Sequence, residues 1–258
     1  MIEALPDPIL KICQKTGHIA LFIWKILSGF PRKWLHLYEC ILQIFYSGVL
    51  TLVIILLSGL FIGGVLALQG AYILQMFAAE NELGQLITLT VFRELGPVIT
   101  ALLFTGRAGS SISSEMGVMQ LTEQIDALKA MCIKPSQYLL FPRFIGTLIS
   151  LPLLTMIFNA FSVIGSHFTA FYWLKLDLGL FWISIKNSAQ FNQDILTGLI
   201  KSCVFAILIS IVALYQGYFT IKSAEGIAHS TTKTVVYSSV FILLSDLILT
   251  AIMMRFWQ

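Results

Sequence analysis

From Cys40 to Ala79 the chain carries no charged residue. At about 1.5 Å of rise per residue, that run is roughly twice as long as a helix needs to cross a ~30 Å hydrocarbon core. Backbone N–H and C=O groups in lipid must find partners within their own segment, so the run has to be helical. Further apolar stretches follow, an uncharged one from Phe144 to Leu174 and two that carry Lys201 and Asp246. With 57% hydrophobic and 11% charged residues and a mean hydropathy of +0.87, the chain lies far outside the soluble range. The expected fold is all-α and polytopic. Its 258 residues accommodate about five spans with short loops and no additional soluble domain.

The expected spans are 48–78, 83–112, 144–174, 194–220 and 234–256, together a transmembrane bundle over 48–256 within one domain, 1–258. Residues 9–28 mix lysines with Ile12, Ile19, Phe22, Trp24 and Ile26, which reads as an amphipathic interfacial helix within the N-terminal region 1–40. Residues 115–134 are too polar to span, yet Met116, Met119, Leu128 and Met131 recur at helical intervals, so a surface helix outside the bilayer is expected. Gly179–Ile185 reads as a small helix at the membrane surface, and Pro152 predicts a bend in the third span. Lysines and arginines concentrate on one side, from Lys11, Arg32 and Arg107 to Lys129, Arg143 and Lys233, which predicts a cytoplasmic N-terminus and an outward C-terminus. No cleaved signal is expected, because Glu3 and Asp7 interrupt the basic region that one requires.

Arg93 and Glu94 sit about 15 Å into the second span by the helical rise, close to mid-membrane, where charge is costly and kept for function. Asp246, roughly 18 Å from the inner end of its helix, lies at a similar depth, and Lys201 is expected somewhat higher. Two acids and two bases compensate one another there. Structural ion pairs between helices would also account for them. Pro97 cannot donate to the carbonyl of Arg93 and is expected to open the helix beside the charges. Gly59-x-x-x-Gly63 has the spacing of close helix packing.

Cys13, Cys40, Cys132 and Cys203 are scattered, as are the four histidines, so neither a disulfide framework nor a metal site is expected. No catalytic residues are expected either, since neither H-E-x-x-H nor G-x-S-x-G occurs. The absence of a basic tract argues against nucleic acid. An ion-coupled secondary transporter with Glu94 and Asp246 as cation or proton sites is the alternative class, although the two halves show no convincing repeat.

The stretch Glu94-Leu-Gly-Pro-Val-Ile-Thr-Ala-Leu-Leu-Phe-Thr-Gly-Arg-Ala-Gly109, continuing through Ser-Ser-Ile-Ser-Ser-Glu115-Met-Gly-Val-Met-Gln-Leu-Thr-Glu-Gln-Ile-Asp-Ala-Leu128, resembles the signature of the MlaE-type permeases. Leu68-Gln-Gly70, Pro142-Arg-Phe144, Leu199-Ile-Lys-Ser202 and Thr231-Thr-Lys-Thr-Val-Val236 extend the likeness over essentially the whole chain. The resemblance implies a homodimeric subunit of an ABC transporter in the inner membrane of a Gram-negative envelope, moving phospholipids between inner and outer membranes and maintaining outer-membrane lipid asymmetry. It further implies an ATPase (MlaF-like) that binds the ATP and Mg, a STAS-domain protein (MlaB-like), a periplasmic MCE-domain ring (MlaD-like) and, indirectly, a soluble lipid carrier (MlaC-like). No cofactor is expected in this chain itself, which has no G-x-x-x-x-G-K-[ST] loop.

On the same resemblance, the 115–134 helix would couple to the ATPase through Glu115, Thr122, Glu123, Gln124, Asp126 and Leu128. A lipid needs an apolar wall for its tails and a few fixed polar groups for its headgroup. The polar candidates are Gln69, Arg93, Glu94, Lys201 and Asp246, and the tail candidates Leu66, Ile73, Leu74 and Phe77.

Overall fold

The computed structural model describes residues 17, 18, 20–24, 26, 37–175, 178–188 and 191–256. Among these residues, five helices are long and apolar enough to span a membrane: α1 (Tyr38–Gln75), α2 (Glu80–Leu121), α4 (Ser136–Tyr172), α6 (Gln193–Tyr218) and α7 (Ala224–Arg255). Two short helices join them, α3 (Gln124–Ala130) and α5 (Leu178–Ser188). The small surface helix expected at 179–185 is α5, whose Ser184 hydroxyl accepts from the Gln85 amide at 3.2 Å, fixing it against the start of α2.

Several boundaries differ from the sequence reading. α1 begins about ten residues before 48, and α7 about ten before 234. α4 begins at Ser136 instead of 144. The 115–134 surface helix is not one helix: residues 115–121 complete α2, and only α3 is separate. The physical reasons are visible at the break. Met116 and Gly117 are buried inside the bundle, and a Cβ at Gly117 would lie 3.1 Å from Ile227 of α7. Glu123 then takes a left-handed conformation (φ 58°), which ends one helix and starts the next, and Cys132 (φ 59°) follows the end of α3. At about 1.5 Å per residue, the 42 residues of α2 extend roughly 63 Å, about twice the ~30 Å of a hydrocarbon core.

α1 lies along α4, and α7 lies along α6 and the second half of α2. The α1/α4 seam is made by backbone approach. A Cβ added at Gly63 would sit 1.9 Å from the Ser162 carbonyl oxygen, and one at Gly165 would sit 2.1 Å from that of Leu60. Gly59 and Gly63 therefore serve helix packing, since only residues without a side chain let two backbones come so close. α4 continues through Pro152, whose missing N–H leaves the Leu148 carbonyl without its helical donor.

Apolar side chains fill three levels, around Met116, Ile125 and Leu214 at the α3 end, Phe104, Phe158 and Phe205 in the middle, and Leu83, Ile87 and Phe181 at the far end. Five buried threonines among them are satisfied within their own helices: Thr51, Thr88, Thr105, Thr155 and Thr234 each donate to the carbonyl four residues earlier. Of the expected interfacial helix 9–28, residues 9–16, 19, 25, 27 and 28 lie outside the described residues. The described part is helical, with Phe22 and Ile26 buried and Leu21 and Trp24 turned outward. Phe22 packs edge-on against Tyr215 and Phe219, each ring centroid 5.6 Å away.

Candidate functional site

α2 winds as a wider π-turn over Val91–Leu95 and resumes its α form at Gly96, with Pro97 in the first turn of the resumed segment. The missing N–H of Pro97 is thus absorbed by a widened turn, where the sequence suggested an opening. π-turns recur at functional sites because the extra residue re-aims neighbouring side chains. Here they are Arg93 and Glu94.

α6 reaches this turn closely, for a Cβ at Gly198 would meet the Phe92 carbonyl oxygen at 2.4 Å. Lys201 of α6 is fully buried, and its Nζ donates to Glu94 Oε2 at 2.7 Å and to Thr250 Oγ1 of α7 at 2.7 Å. Asp246 Oδ1, also on α7, lies 3.0 Å from the same ammonium, within ion-pair distance but outside hydrogen-bond geometry. The Thr250 hydroxyl in turn donates to Glu94 Oε2 at 3.2 Å. One cation thus joins three helices. Lys201 stands eight positions past Gln193, or about 12 Å, and its long side chain covers the remaining difference in height from Glu94.

Arg93 pairs elsewhere, with Asp194 at the start of α6. Asp194 is almost fully buried and its Oδ2 has no partner among the described residues, whereas 44% of the Arg93 side chain is exposed. Between the two ion-pair systems lies a recess of about 60 Å³ that Arg93, Glu94 and Lys201 line together with Thr197, Met253 and Met254. Two bases and three acids meet around it, and Arg93 is the more exposed of the two bases, Lys201 being fully buried. Sequence reasoning missed Asp194, Thr197 and Thr250. Their signal was helical spacing, since Asp194 and Thr197 precede Lys201 by seven and four residues and Thr250 follows Asp246 by four.

The remaining candidates lie apart from this recess. Leu66 and Leu74 pack against the cluster of Leu83, Ile87 and Phe181, while Gln69 and Ile73 are exposed on α1 and Phe77 is exposed in the turn after it. At the opposite end, Glu115 Oε2 accepts from Arg143 Nη2 at 3.3 Å, and the same buried guanidinium points Nη1 at the Met116 sulfur. Thr122 caps the end of α2 by donating to the Val118 carbonyl at 2.9 Å. Lys222, in the α6–α7 turn, reaches Asp126 at 3.0 Å and Glu123 at 3.4 Å. Hydrogen bonds from Lys129 and then Lys222 hold the Asp126 carboxyl below the usual carboxylate range, and the Asp126 bond raises Lys222 in return. Gln124 is exposed, and Leu128 turns inward onto the core. Among the described residues no three His, Cys, Asp or Glu side chains converge to hold a metal.

Among the described residues, five apolar helices long enough to span a membrane, three of which meet at a charged recess, define the class as a membrane transport subunit, a permease. The chain belongs to the MlaE permease family, whose model matches residues 40–252. It is 42% identical over 252 residues to the intermembrane phospholipid transport system permease protein MlaE of Haemophilus influenzae, covering 98% of this chain and 97% of that one. It is also 35% identical to a probable ABC transporter permease protein of Rickettsia conorii, over 95% of each chain. A probable ABC transporter permease protein of Synechocystis is 33% identical over 80% of this chain and 78% of its own length.

Proposed function

We propose that this chain is the permease subunit of an ABC transporter that moves phospholipids between the inner and outer membranes, with hydrolysis supplied by a separate ATPase subunit. Two copies would form the transport path, joined by MlaF-like, MlaB-like and MlaD-like companions and served by an MlaC-like carrier. The observation that carries the reading is the Glu94–Lys201–Asp246 cluster at membrane depth in a chain so similar to the Haemophilus protein. Arg93 is the group suited to a lipid phosphate, because its guanidinium is half-open to the recess while Asp194 fixes its orientation. Ile73 and Phe77, exposed toward the outer end of α1, are the tail contacts.

The orientation consistent with this role places α3, the α6–α7 turn and the N-terminus in the cytoplasm and the end of α7 in the periplasm. The exposed face of α3, with Glu123 and Gln124, is the ATPase contact. The ion-coupled alternative has little in its favour, because the Lys201 ammonium occupies the place between Glu94 and Asp246 that a transported cation would take.

The test is lipid transfer by the complex reconstituted in vesicles. Glu94→Ala and Lys201→Ala should impair transfer while the complex still assembles. Unchanged transfer rates in both variants would refute the site.

A further inference from the structure

A second cleft lies on the α3 side of the Lys201 recess, between α6, α7 and the N-terminal helical segment. Its volume is about 540 Å³, within the ~300–1,000 Å³ range of small-molecule sites. Its walls are two regular stripes. On α7, Lys233, Tyr237 and Phe241 follow at intervals of four, and on α6, Leu208, Val212 and Gln216 do the same, so each set lies on one helix face. The helices run antiparallel into the turn at Lys222, so Lys233 and Gln216 lie toward the same end of the cleft and Leu208 and Phe241 toward the other. The cleft is therefore polar at one end and apolar at the other.

The depth of that gradient follows from the charged layer. Lys233 precedes Asp246 by thirteen residues, about 20 Å along α7. With Asp246 near mid-membrane, Lys233 falls at the headgroup level of the leaflet on the α3 side, and Phe241 lies among the acyl chains. Among the described residues, no carboxylate pairs with Lys233 and no hydrogen bond engages it.

We infer that this cleft holds a glycerophospholipid of the cytoplasmic leaflet, its phosphate on Lys233 and one acyl chain between Val212 and Phe241. The leaflet assignment rests on the orientation proposed above; the cleft and its polarity do not. Charge complementarity selects this occupant, since a purely apolar ligand would leave the ammonium unused and a protein segment would have to supply an acid. The site is separate from the Lys201 recess, and its apolar end stops five residues, about 8 Å, short of Asp246 along α7. It is thus placed to hold a lipid beside the transport path.

Photo-cross-linking tests this in nanodiscs that contain the full chain and phosphatidylglycerol with a diazirine at the tail end, adducts being mapped by residue. Adducts are expected at 208–216 and 237–241 in the wild type. They should fall about fivefold in Lys233→Ala, the effect of one interfacial lysine on an anionic lipid, and vanish in Val212→Trp, which fills the cleft. Unlabelled phosphatidylglycerol should displace the wild-type adducts, and diacylglycerol, which lacks the phosphate, should not. That competition needs no variant to fold. Absence of adducts, equal labelling in all three proteins, or equal displacement by diacylglycerol would overturn the inference. So would cross-links from the cleft to a second copy or to residues 1–16. Adducts at the Arg93–Lys201 recess are read separately in the same experiment, so failure of one site does not mimic failure of the other.

Discussion

At the scale of single residues, the burial of Lys201 decides what its partners can do. A fully buried ammonium lies between two carboxylates, and removing it leaves both acids facing each other uncompensated, at a cost of about 3–5 kcal/mol. Lys201→Met alone should therefore lower the thermal midpoint sharply as well as abolish transfer. The triple variant Glu94→Gln, Lys201→Met, Asp246→Asn removes all three charges and should regain most of that stability, but not transfer. Recovery of both in the triple variant would reduce the cluster to a structural ion pair. At this scale Arg93, Glu94, Lys201 and Asp246 were legible because each charge stood out in an apolar run. Asp194 was not, since at the edge of its span it reads as the last polar residue of a loop, and only its seven-residue spacing from Lys201 points inward.

Among the helices, stability depends on where backbones touch. Gly63→Ala places a methyl group against the Ser162 carbonyl and should cost about 1–3 kcal/mol as the α1/α4 seam opens. Gly106→Ala meets nothing within 4 Å and lies at negative φ, so it should be neutral or stabilising by up to about 1 kcal/mol. Thermal unfolding in a common detergent compares the two, and equal effects would contradict the seam. α3 gives a pH prediction. The Asp126 pKa is lowered by folding, so its contribution is complete above the ordinary carboxyl value, near ~4, and is lost as pH falls through the lower folded value. Hydrogen-exchange protection of Gln124–Ala130, corrected for intrinsic rates, should be constant from about pH 8 to 5 and decline only in stronger acid. A decline centred near neutrality would implicate another group. Element existence was readable from hydropathy, but ends were not. Residues 113–121 and 224–233 are too polar to read as spans, yet they are helical because they pack on one another, Ser113 facing Ser230 and Gly117 facing Ile227, a contact that no single segment reveals.

For the whole molecule, the proposed orientation rests on the distribution of lysine and arginine, and Cys132 tests it. The residue is exposed in the α3–α4 connection, while Cys40 and Cys203 are half-buried within spanning helices. In a Cys13→Ser background, a membrane-impermeant maleimide should label Cys132 in inverted membrane vesicles and not in intact spheroplasts. The reverse pattern would invert the topology. The π-turns of α2, at Val91–Leu95 and Thr105–Gly109, have a consequence for the whole bundle. Each adds about one residue to a turn, and one residue corresponds to about 100° of azimuth. The three α stretches of this rod are therefore out of phase, and a helical wheel drawn straight through it superposes faces that never share a side. Deleting one residue between 105 and 109 would barely alter composition or hydropathy. It would act as a twist of the screw, swinging Glu94 away from Lys201 while the Leu121 end stayed seated.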